Sequence, residues 1–212
     1  MNLVFDFGAV VFNWRPMDLL RSHLADQCTE DVATQDLAHK FFAHPDWQAF
    51  DRGTVTVGQV VRQTSSRLGL MNESVSAVLA AIPDHLTPIA GTVRLLDDLR
   101  KLRGAGTPLR LFYLSNMPAP VARELERRHK FLGWFDGGIF SGDVKLIKPE
   151  KEIFELATGR FGLTAASTVF VDDALANVES ARACGWRAIH FTSPEQLSKA
   201  LALEMGELMF TL

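Results

Sequence analysis

The sequence has few cysteines, no surplus of basic charge and no long apolar run, and each shortage closes off a class of function. Its two cysteines, Cys28 and Cys184, stand far apart. They form neither a metal-type spacing nor a disulfide framework, and both read as reduced thiols. The formal net charge is −3. A nucleic-acid binder shows a clustered basic face. Here the richest basic stretch interleaves Arg123, Arg127, Arg128 and Lys130 with Glu124 and Glu126, which at helical spacing is a solvated helix face. No stretch approaches the ~20 apolar residues of a membrane-spanning helix. The first residues run into an apolar segment without a basic leader or cleavage signature. The six histidines show no metal-like spacing, and there is no internal repeat. The expectation is a cytoplasmic protein, monomer or homodimer, with neither nucleic acid nor membrane as partner.

The 212 residues, 47% of them hydrophobic, suffice for one core, or for a core carrying a smaller insert. Leu3-Val4-Phe5 leads into Asp6-Phe7-Gly8. Leu109 to Leu114 leads into Ser115-Asn116, and Thr168 to Val171 into Asp172-Asp173. Ala188 to Phe191 is a fourth such run and Ile139-Phe140 a candidate fifth. Short apolar runs of this kind are the buried strands of a parallel sheet. Helical patterns separate them, at Thr92 to Leu102, Pro120 to His129, Glu150 to Phe161 and Ala174 to Ala183. The alternation predicts an α/β fold, a Rossmann-like parallel sheet covered on both faces. From Trp14 to Pro88 the pattern is helical, with many polar residues and no convincing strand. It reads as a helical cap domain, residues 14–88, inserted into a core of residues 1–13 and 89–212. Pro16 and a linker from Pro83 to Gly91 flank the insert.

In an open parallel sheet, ligands bind beyond the carboxyl ends of the strands. Three strand ends here carry polar groups together: Asp6, Ser115-Asn116 and Asp172-Asp173. Lys148 follows the Ile139-Phe140 segment and precedes Pro149; Lys145 is its nearby competitor. A carboxylate can attack phosphorus and form an aspartyl-phosphate, which splits hydrolysis into two easier steps. Carboxylate and phosphate repel each other, so a divalent cation belongs between them. Magnesium takes hard oxygen ligands, which Asp6 and the Asp172-Asp173 pair can supply. Ser115, Asn116 and Lys148 can meet the charge of the transferring phosphoryl group. The partner implied is a small phosphorylated metabolite. Blander readings stand beside these. Ser115-Asn116 also suits a turn, Asn177 a loop brace, Trp14 and Trp47 core packing, and Arg52 an exposed helix end.

Asp6-Phe7-Gly8-Ala9-Val10 resembles the first motif of the haloacid-dehalogenase (HAD) superfamily, and Leu114-Ser115-Asn116 its second. Lys148-Pro149, followed by Ile153-Phe154, resembles the third. Val171 to Val178, with Ala181 and Gly185 beyond, resembles the fourth. The insert, through Trp14-Arg15-Pro16 and Trp47 to Thr54, resembles the four-helix cap of one subgroup. That subgroup includes sugar-phosphate phosphatases, the N-terminal domain of soluble epoxide hydrolase and the 2-haloacid dehalogenases. The resemblance implies a magnesium-dependent phosphatase acting on a sugar phosphate, with Asp6 as nucleophile. Asp6, the main-chain carbonyl of Gly8 and Asp173 would bind magnesium, and Asp172 would ligate it or hold its water. Ser115 and Asn116 would bind the phosphoryl group, Lys148 would pair with nucleophile and phosphate, and Arg52 would contact substrate.

Phosphatases of this family usually carry a second aspartate two residues after the nucleophile, as an acid/base. Here that position is Gly8. The main-chain carbonyl is retained and the side-chain acid is lost, a kind of help typically worth about 10²–10⁴-fold. His44, Asp51 and Arg52 of the insert are candidates to replace it. The loss argues against a phosphomutase. It leaves two alternatives: a metal-independent 2-haloacid dehalogenase using Asp6, and a weakly catalytic phosphate- or metabolite-binding regulatory protein. Asp172-Asp173 speaks against the dehalogenase, because adjacent carboxylates without a cation repel each other and a carboxylate substrate.

Overall fold

The computed structural model describes residues 1–206; the end of the expected core range, residues 207–212, lies outside them. Five apolar segments form strands: β1 Asn2–Phe5, β2 Arg110–Ser115, β3 Gly137–Phe140, β4 Thr168–Asp172 and β5 Arg187–His190. They make one parallel sheet in the order β3-β2-β1-β4-β5. Successive side chains on a strand point to opposite faces. Accordingly Leu3, Phe5, Leu111, Val169 and Val171 join one apolar cluster, while Val4, Phe112 and Phe170 join the other.

The helices are α1 Pro16–His23, α2 Asp31–Phe42, α3 Pro45–Asp51, α4 Val57–Leu68, α5 Asn72–His85, α6 Ala90–Gly104, α7 Ala119–Arg128, α8 Ser141–Val144, α9 Lys151–Phe161, α10 Leu175–Ala183 and α11 Pro194–Met205. Leu96 and Leu99 of α6 and Leu197 and Leu201 of α11 cover the first face of the sheet. Ile153 and Phe154 of α9 and Ala181 of α10 cover the second. The arginines of the basic stretch lie on α7, where Arg127 and Arg128 pair with Glu124 and Arg123 pairs with Glu126, and Lys130 follows the helix. Among the described residues, no helix is long and apolar enough to cross a membrane.

Between β1 and α6 the regular elements are helices, with no strand among them. This segment has five helices where the resemblance implied four, with the seven-residue α3 standing between α2 and α4. Pro83 does not break the chain as expected; it lies inside α5. Its missing N–H forfeits one bond near the helix end, while Val75, Val78, Leu79 and Ile82 keep that helix's buried face. The way in and the way out of the segment run side by side. Asn13 N donates to Thr87 O at 2.8 Å and Ile89 N to Val11 O at 2.8 Å, and Phe12 bridges antiparallel to Pro88. This seats the five helices above the carboxyl end of β1. Their apolar interior, including Leu20, Phe41 and Val60, is continuous with the first face of the core.

Candidate active site

The parallel register levels the strand ends. Phe5 lies opposite Tyr113 on β2 and Val171 on β4, so Asp6, Ser115 and Asp172 emerge at one edge. Asp6 N donates to Val171 O at 2.8 Å. Lys148 Nζ donates to Asp6 Oδ1 at 2.7 Å and to Asp172 Oδ2 at 2.6 Å, and all three residues are buried. Asp173 is exposed. One carboxylate oxygen from each of Asp6, Asp172 and Asp173 lies within 4.8 Å of the others.

Three carboxylates around one ammonium leave a surplus of two negative charges. Burial pushes the Asp6 carboxyl up to about 7; Lys148 opposes the rise and Asp172 adds to it. Asp173 is raised as well, by burial and then by Asp172. For Lys148, burial disfavours the ammonium, but Asp172 and Asp6 together hold its pKa above the ordinary lysine value. An all-oxygen cluster short of two positive charges suits a small hard divalent cation such as magnesium. Gly8 stands beside it: a Cβ built there would lie 3.9 Å from Asp6 Oδ2.

Two asparagines hold this arrangement. Asn177 Nδ2 donates to Asp172 Oδ1 at 3.0 Å and Oδ2 at 3.1 Å, and Ala174 N adds a bond of 2.8 Å. Asn177 is thus a brace for Asp172. The side chain of Asn116 turns to the main chain of Lys148, whereas the sequence suggested a phosphoryl contact. An amide carries both a donor and an acceptor, which is what an exposed peptide unit needs. Ser115 is buried at the end of β2.

Of the residues expected from the insert, only Asp51 faces the strand ends. The Arg52 guanidinium forks onto Glu150, with Nη1 2.7 Å from Oε2; a planar fork matches a carboxylate well. This ion pair ties α3 to the start of α9. His44 caps α3, its Nδ1 accepting from Asp46 N at 3.2 Å.

A cavity of about 400 Å³ lies between the helical segment and the strand ends. Gly8, Asn116 and Ala174 line it from the core, and Trp14, Phe42, Trp47, Ile82 and Leu86 line it from the insert. The aromatic rings also pack on one another, Trp14 to Phe42 at 5.1 Å and Phe42 to Trp47 at 4.8 Å between centroids. Asp51 is the one ionisable side chain in the lining. Burial pushes its carboxyl up to about 8 against a smaller opposing hydrogen bond from Trp47, and Asp6 adds to the rise. Phe42, Ile82 and Leu86 escape sequence reasoning because an apolar cavity wall has the same helical spacing as a core residue. A larger groove, about 660 Å³ along α2 and α4, contains none of the strand-end residues.

Residues 26–185 match the profile of the haloacid dehalogenase-like hydrolases. The chain is 30% identical to a sesquiterpene phosphatase of Aspergillus oryzae, over 97% of this chain and 95% of that protein. It is 24% identical to a drimenol cyclase of Aspergillus calidoustus, over 96% of this chain but 36% of the larger protein. Among solved structures it resembles a HAD family enzyme of Bacteroides thetaiotaomicron in complex with magnesium and inorganic phosphate. The TM-score is 0.69 at 22% identity, covering 90% of this chain and 93% of that one.

Proposed function

The chain belongs to the haloacid dehalogenase-like hydrolases, and on that premise we propose that it hydrolyses a phosphate monoester of an apolar alcohol through an aspartyl-phosphate on Asp6. The observation that carries the reading is Lys148 held between Asp6 and Asp172, with Asp173 completing the oxygen cluster. The Asp6 carboxylate attacks phosphorus as the bond to the ester oxygen breaks; water then cleaves the aspartyl-phosphate and returns free Asp6. Lys148 fixes the orientation of Asp6 and offsets charge gathering on the phosphoryl oxygens. Ser115, buried at the strand end, supplies a further donor. Asp6, Asp173 and the Gly8 carbonyl, with Asp172 alongside, would hold magnesium, which would supply neutralisation of the negative charge that nucleophile and phosphate share. The HAD family enzyme of Bacteroides thetaiotaomicron, with magnesium and phosphate bound, supports that choice of ion and ligand.

Residues 14–88 serve in this reading as the cap domain on the core, excluding water until transfer has occurred. The substrate class follows from the cavity walls. Trp14, Phe42, Trp47, Ile82 and Leu86 offer area and almost no hydrogen bonds. A sugar would leave most of its hydroxyls unpaired against them, whereas an alkyl or isoprenoid chain gains from burial. The name of the Aspergillus oryzae relative, a sesquiterpene phosphatase, agrees with this. Two free, part-buried cysteines suit a reducing compartment such as the cytoplasm.

The test is release of phosphate from farnesyl phosphate and glucose 6-phosphate, with magnesium and with chelator, beside halide release from 2-chloropropionate. Magnesium-dependent release favouring the isoprenoid ester, abolished in Asp6→Asn, is expected. Halide release that survives chelation would replace the reading with a dehalogenase. Activity on neither ester would favour a binding or regulatory protein.

A further inference from the structure

We propose that Asp51, carried by the helical insert, is the proton donor to the leaving oxygen, an assignment that rests on the phosphatase reading above. Departure of an aliphatic alkoxide needs a proton, and a positioned acid must lie where the ester oxygen sits. The core side of the cavity offers none: Gly8 has no side chain, Asn116 is engaged with Lys148, and Met117, Pro118, Val121 and Ala174 carry no acid. Asp51 is the single ionisable side chain lining the cavity that opens beside Gly8. It approaches from the insert, facing the strand ends from which Asp6 would attack.

Its position is fastened to the core by three consecutive residues. Ser141 Oγ donates to the carbonyl of Asp51 at 2.5 Å while accepting from Met117 N at 2.8 Å. Arg52 pairs with Glu150. Gly53, at φ +75°, passes so close to α8 that a Cβ there would collide with the Gly142 carbonyl oxygen. An acid held by a mobile flap needs none of these ties, whereas a proton donor needs its place kept within a fraction of an ångström. Burial, which keeps this carboxyl protonated near neutral pH, matches the role.

The step balances. As the Asp6–phosphorus bond forms and the phosphorus–ester oxygen bond breaks, the Asp51 proton passes to the departing oxygen and an alcohol leaves. The Asp51 carboxylate then takes a proton from the water that attacks the aspartyl-phosphate, which restores both groups and yields inorganic phosphate.

The measurement is the slope of log kcat/KM against leaving-group pKa, over a series running from p-nitrophenyl phosphate to primary alkyl phosphates, for wild type and Asp51→Asn. A donor makes the wild-type slope shallow and the variant's steep. The loss should grow along the series to about 10²–10⁴-fold for the alkyl esters, and Asp51→Glu should recover part of it. Parallel lines, whether the variant is uniformly slower or equal, would overturn the assignment, since a structural lesion slows every ester alike. Failure of the phosphatase reading looks different: wild type would release no phosphate from any member of the series, and the assignment would fall with it.

Discussion

The side chain of Asn116 grips both main-chain groups of Lys148, its Nδ2 donating to the carbonyl at 2.9 Å and its Oδ1 accepting from the amide N–H at 2.8 Å. The residue after β2 thereby sets the height of the lysine that bridges Asp6 and Asp172. Asn116→Ala leaves two polar main-chain groups unpaired, at a cost of about 1–3 kcal/mol. It should lower melting temperature and kcat together, with KM little changed. Asn116→Asp keeps only the acceptor, sets an oxygen against the Lys148 carbonyl and adds negative charge near the carboxylate cluster, so it should recover none of the loss. Normal kcat in Asn116→Ala, read from steady-state phosphate release, would show that Lys148 needs no such hold.

Lys148→Met removes the only cation within hydrogen-bond reach of Asp6 and Asp172 among the described residues. Breaking a buried pair from one side costs about 3–5 kcal/mol. In chelator the variant should therefore unfold at much lower temperature or denaturant than wild type. Magnesium should restore part of the difference, since it supplies positive charge to the same carboxylates. Denaturant titrations with and without magnesium decide the point; equal stability of variant and wild type in chelator would mean that the carboxylates are relieved in some other way.

Asp173 is the exposed member of the oxygen cluster, so its removal should leave the fold alone. Calorimetry on Asp173→Ala should find magnesium affinity lower by about tenfold or more, roughly 1.4 kcal/mol, at an unchanged melting temperature in chelator. Unaltered affinity would remove Asp173 from the ligand set.

Asp51 makes a separate prediction about stability. Its carboxyl holds a proton up to about pH 8 in the folded chain, against an ordinary value of 3.8. The unfolded chain releases that proton near the lower value, so the position's contribution to stability is full below it and declines as pH rises to about 8. Asp51→Asn has no proton to release. Measured in chelator, its stability relative to wild type should therefore rise between pH 5 and pH 8, by an amount on the order of a few kcal/mol. A difference that stays constant across that range would show the carboxyl to be ionised throughout.

Trp14 is half-buried and lines the cavity. Trp14→Ala should raise KM for farnesyl phosphate by about tenfold or more through lost apolar contact, with little change for a short-chain phosphate. Equal effects on both would place the ring in folding and not in substrate choice.

The strand ends were legible because their chemistry is local in the chain. Asp6, Ser115, Asn116, Asp172 and Asp173 each follow directly on an apolar run, and a parallel sheet brings such ends to one edge whatever the rest of the chain does. Lys148 was legible through the proline beside it, and the helical character of residues 14–88 through its periodicity. The roles inside that framework were decided elsewhere. Asn116 turned to Lys148 and Arg52 to Glu150, the apolar wall assembled from helices α2, α3 and α5 and the loop at Trp14, and Asp51 was set in the cavity wall by its own contact with Ser141 and that of Gly53 with Gly142. These pairings join residues 32 to 98 positions apart. Periodicity reports which face of an element is apolar, and a motif reports what stands at a strand end. Neither carries the distance between two elements folded together, and that distance decides which partner an arginine meets.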